Sequence, residues 1–84
     1  MTYHGLLTTQ ARHLVREAFT NAVANGASFA DMTDEAIATD MCDCDCALED
    51  FVWLGNTSGE RDFSDNNFGF VKAAVGELRK EFGQ

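Results

Sequence analysis

The residues Leu7, Ala11, Leu14, Val15, Ala18, Phe19, Ala22 and Val23 recur at intervals of three and four. That spacing puts them on one wide face of a helix, and a helix with such a face must find a partner to bury it against. Nothing in the chain forbids long helices, because its 84 residues include no proline. Two further segments carry the same rhythm. One runs through Ile37, Met41, Cys44, Leu48 and then Phe51 or Val52, and the other through Phe68, Val71, Ala74, Val75, Leu78 and Phe82. A chain of this length buries only about 60–65% of its unfolded surface, so one modest core has to serve all three. The expected architecture is mainly α: a single small three-helix domain, residues 1–84, with an irregular or weakly β connection between helices 2 and 3.

Boundary residues fit that division. Thr8 or Thr9 can cap the first helix, and Asn25-Gly26 can end it, since glycine takes the left-handed conformation without a Cβ clash. Thr33 can open the second, with Asp34 and Glu35 at the positive end of its dipole. Asp65, Asn66 or Asn67 can open the third, which Gly83 closes. Between them, FVWLGNTSGERDFS can either continue the second helix or form a short strand that turns at NTSG and returns. Trp53 and Phe63 are expected to anchor that connection on the helices.

The run CDCDC, residues 42–46, invites a metal reading. Zinc usually takes four ligands from two separated pairs, and no second pair exists; His4 and His13 are far away in sequence. In helical register Cys44 falls within the apolar stripe, while Cys42 and Cys46 lie on the other side as partly exposed thiols. The surrounding carboxylates disfavour a thiolate, which argues against a nucleophile or redox centre. An EF-hand reading of DFSDNNFGFVKA fails where it matters, with Asn67 in place of the glycine and Ala73 in place of the bidentate glutamate. No phosphate-binding loop, catalytic constellation, cofactor site or metal site is expected, and the chain reads as a non-enzyme. Asn56-Thr57-Ser58 reads as a turn. The start of the chain lacks the basic and apolar regions of a secretory signal, and no run approaches the roughly 20 apolar residues that span a bilayer. A reducing cytoplasm is the expected location.

Charge is the more informative signal. The formal net charge is −8, and residues 31–65 hold eleven acids against the single Arg61. Seven of those acids lie between Asp34 and Asp50. On one continuous helix they would span about 24 Å, an axial charge density close to that of a DNA strand. Such a surface repels nucleic acid and membranes and steers basic protein surfaces toward itself. Glu35, Asp43, Glu49 and Asp50 are the expected binding residues, with Asp34 and Asp45 at the margin and Glu60, Asp62 and Asp65 adding charge from the connection. The rival reading is a regulatory or assembly module that docks through an apolar patch at Phe51, Trp53 and Phe63, its acidity serving solubility.

In its small single-domain size, its lack of enzyme motifs and its acid block from Asp31 to Asp65, the chain resembles the phage-encoded anti-CRISPR proteins. It is similar in character to inhibitors of type I systems, subtype I-C among them, some of which imitate DNA. The resemblance implies a monomer acting in the cytoplasm of a host bacterial cell. It also implies a basic DNA-binding protein as partner, the large Cas8-like subunit of a type I surveillance complex, blocked without chemistry.

Overall fold

The computed structural model describes residues 8–55 and 59–84. Leu7, His4 and the Asn56-Thr57-Ser58 turn therefore lie outside the described residues. The elements are α1 (Thr8–Ala24), α2 (Asp34–Cys44), α3 (Cys46–Val52), β1 (Trp53–Gly55), β2 (Arg61–Phe63) and α4 (Asp65–Phe82). The protein is mainly helical, as the apolar periodicities require, and the two short strands pair antiparallel between the second and last helical segments.

The α1 stripe buries Ala11, Val15 and Phe19, and α4 buries Val71, Ala74, Val75 and Leu78 against it. Phe19 sits between Phe29 and Phe82, with ring centroids 4.8 and 5.3 Å away. Along the wet edge of this pair, Arg16 makes two 2.8 Å bonds to the Glu81 carboxylate and Arg12 lies 3.5 Å from Glu77. Helix α4 also packs on α2 and α3, so it touches every other helix, as the short α3 does to a lesser extent. No polar or charged residue is buried among the described residues.

Helix ends follow local chemistry. Gly26 takes a φ of +90° just past α1, inside which both Thr8 and Thr9 already lie. The Thr33 hydroxyl accepts from the Ala36 N–H at 3.0 Å and opens α2. The cap of α4 is Ser64 rather than Asp65, Asn66 or Asn67, because its hydroxyl reaches the Asn67 N–H at 3.1 Å. Asn67 is instead spent on tertiary structure, donating from Nδ2 to the Phe51 carbonyl at 2.8 Å.

The expected second helix is two helices. Asp45 leaves the helical conformation (φ −120°, ψ 113°); its N–H donates to Met41 O and ends α2, while its carboxylate accepts from the Ala47 and Leu48 N–H groups at 2.9 and 3.2 Å and starts α3. A short carboxylate competes well for orphan backbone donors, which is why aspartate favours caps over helix interiors. The break re-aims the chain so that Leu48, Phe51 and Val52 all reach the core. The cysteine register differs as well: within α2, Cys42 is buried with Ile37, Ala38 and Met41 and Cys44 is exposed, as is Cys46 at the start of α3.

Candidate functional site

The nine acids expected to form one surface divide by what they touch. Asp34 accepts from Arg79 Nη1 at 2.8 Å, and its other oxygen lies where a Cβ on Gly76 would come within 3.0 Å. Arg79 also donates to the Phe29 carbonyl, so this carboxylate fixes α2 and the 25–33 loop on α4. Asp45 is consumed as a cap. Asp50 and Glu49 lie 2.9 and 3.8 Å from the Arg61 guanidinium, which also donates to the carbonyl oxygens of Trp53 and Glu49. Exposed pairs of this kind contribute little stability, but they cancel charge. Glu60 and Asp62 are exposed on and beside β2.

The remaining three, Glu35, Asp43 and Asp65, are exposed and form no ion pair with any described residue. Glu35 and Asp43 are eight positions apart on α2 with Thr39 between them, a spacing that places all three on one helix face. That face, with Asp65 from the first turn of α4, borders a groove of about 290 Å³. The floor and far wall are apolar: Cys42, Val52, Trp53, Phe63 and Phe68. The lining of this groove includes three carboxylates and no basic residue.

The hairpin register builds the aromatic wall. Trp53 pairs directly with Phe63, and their rings meet edge to face with centroids 5.0 Å apart. Phe63 in turn lies 5.4 Å from Phe68. The expected anchoring of Trp53 and Phe63 on the helices is thus partial, since they remain 40% and 41% exposed, the two large apolar side chains left open to solvent among the described residues. Sequence reasoning put Phe68 in the apolar stripe of the last helix and Cys42 on the side of α2 that carries Glu35 and Thr39; the groove brings all four together, with Cys42 buried.

The thiols show no catalytic environment. Burial pushes the Cys42 thiol up to about 11, and the charges of Asp43, Asp45 and Glu49 add to the effect. No group of three or more histidine, cysteine or acidic side chains is placed to hold a metal ion among the described residues. His13 is exposed, 3.7 Å from Glu17 on its own helix. A second groove of about 290 Å³, between α1 and α2, is lined by Ala22, Met32, Met41 and Cys44 together with Asp40 and Asp45. No described helix is long and apolar enough to cross a membrane.

Three of the nine expected acids, Glu35, Asp43 and Asp65, therefore meet at an aromatic groove rather than in a straight row, while Asp31 and Asp40 are exposed outside it. Compared with known proteins, the chain matches no family model, no curated protein and no solved structure.

Proposed function

We propose that this chain is a non-enzymatic inhibitor that sets its acidic face on the basic, nucleic-acid-binding surface of another protein and keeps DNA from it. One observation supports the reading above the rest. All four arginines are engaged with carboxylates, three of them outside the 31–65 block, while Glu35, Asp43 and Asp65 are left exposed with no cationic partner among the described residues. Leaving like charges uncompensated costs stability, and a positively charged partner removes that cost on binding. The resemblance to anti-CRISPR proteins names the partner to try, the large Cas8-like subunit of a type I surveillance complex in the host cytoplasm.

Fluorescence anisotropy of labelled target DNA with a purified subtype I-C complex tests this. The protein should displace DNA, and its potency should fall about tenfold or more as salt rises from roughly 50 to 300 mM, as electrostatic association requires. Reversing Glu35, Asp43 and Asp65 to lysine should abolish displacement while the helical circular dichroism persists. Displacement that survives the triple reversal would sink the acidic surface. A second reading, docking through an apolar patch, draws support from the exposure of Trp53 and Phe63. Under it, truncating those two rings matters more than reversing the charges.

A further inference from the structure

The groove between α2, the hairpin and the start of α4 combines two features that seldom meet by accident. Its lining includes Trp53 and Phe63, both open to solvent, together with the carboxylates of Glu35, Asp43 and Asp65. We infer that this groove seats a single arginine side chain of a basic partner segment, its guanidinium over the Trp53–Phe63 wall and its edge toward the rim carboxylates. The inference rests on the proposed binding face and names its anchor.

Size and charge select the occupant. At about 290 Å³ the groove is at or below the low end of cavities that enclose small-molecule ligands, roughly 300–1,000 Å³, but it admits one long side chain. Aromatic faces attract cations held within about 6 Å of the ring centre, tryptophan most strongly. Phosphate would be repelled by the rim, and an apolar side chain would strip water from three carboxylates and return no hydrogen bonds. A cation that is both flat and weakly hydrated meets both walls at once. Guanidinium stacks on rings and bonds carboxylates through paired N–H groups, whereas the compact ammonium of lysine holds its water more firmly. The fold already uses this chemistry within itself: the Arg12 guanidinium lies 5.8 Å from the centre of the Phe70 ring.

Trp53 is the chain's only tryptophan, so its fluorescence reports this groove directly. The test titrates the whole protein with a capped peptide of neutral residues around one arginine, then with the same peptide bearing citrulline or lysine. Citrulline keeps the shape and loses the charge. The arginine peptide should change Trp53 emission saturably, with the citrulline peptide about tenfold weaker or more and lysine between them. Glu35→Gln combined with Asp43→Asn should weaken arginine binding about tenfold, with circular dichroism unchanged. Asp40→Asn, on an exposed acid outside this groove, should leave binding as it was. Absence of a saturable change, equal binding of citrulline, tighter binding of lysine, or an equal loss with Asp40→Asn would each overturn the inference. The DNA-displacement assay separates it from the inhibitor reading. Arginine binding without displacement overturns that reading and leaves the groove standing; salt-sensitive displacement without arginine binding does the reverse.

Discussion

Burial holds the Cys42 thiol protonated to about pH 11, whereas an unfolded chain releases that proton near pH 8.5. The folded pKa is the raised one, so its stabilising contribution is complete below about pH 8.5 and is lost as pH climbs toward 11. The urea midpoint should therefore fall across that window, and the fall should be shallower in Cys42→Ala. A thiol reagent at pH 8 should label Cys44 and Cys46 quickly and Cys42 only after denaturant is added, since only Cys42 is buried. Rapid labelling of all three would contradict the buried position. At this scale the residue types near CDCDC were legible, but which thiol is buried was not. The stripe from Met41 through Cys44 to Leu48 assumes an unbroken helix; with α2 ending at Cys44, its buried face is set by Ile37, Ala38 and Met41, which brings Cys42 inside and turns Cys44 out.

That aspartate is the decisive feature at the scale of elements. Asp45 ends α2 with its backbone and starts α3 with its side chain, so one residue sets the angle between two helices. Asp45→Ala should cost about 1 kcal/mol by urea denaturation, the usual loss for an N-cap, while Asp45→Asn should stay within a few tenths. Equal effects of the two would mean that the carboxylate is not acting as a cap. The sequence reading of α1 and α4 succeeded because long amphipathic stripes overdetermine a helix. The middle of the chain is different. Its apolar positions suit either one long helix or two short ones, and the choice rests on two hydrogen bonds that the Asp45 carboxylate accepts. The same uncertainty decided the candidate site. A continuous helix would array Asp34 through Asp50 as a rod, but the break and the Arg61 and Arg79 pairs withdraw Asp34, Asp45, Glu49 and Asp50 from a common surface. Ion pairs between residues far apart in sequence leave no periodic trace.

Over the whole molecule, a charge of −8 concentrated in the middle third opposes folding through self-repulsion. Among the described residues Arg12–Glu77, Arg16–Glu81, Arg61–Glu49 and Arg61–Asp50 are ion pairs on exposed side chains, which salt would weaken at little cost. Raising sodium chloride from about 10 to 500 mM should therefore raise Tm, by about 4 °C if screening is worth about 1 kcal/mol. A fall in Tm would mean that the pairs outweigh the repulsion.

Helix α4 packs on α1, α2 and α3, is the main partner of α1, and follows all of them in the chain. During synthesis at about 5–20 residues per second, the α1 stripe waits several seconds for the helix that covers most of it. The acidic helices and the hairpin wait as well, because the Asp34–Arg79 and Phe51–Asn67 ties both end in α4. Folding of this domain is thus an event that follows translation of its last helix. Until then the nascent chain carries its negative charge without its groove.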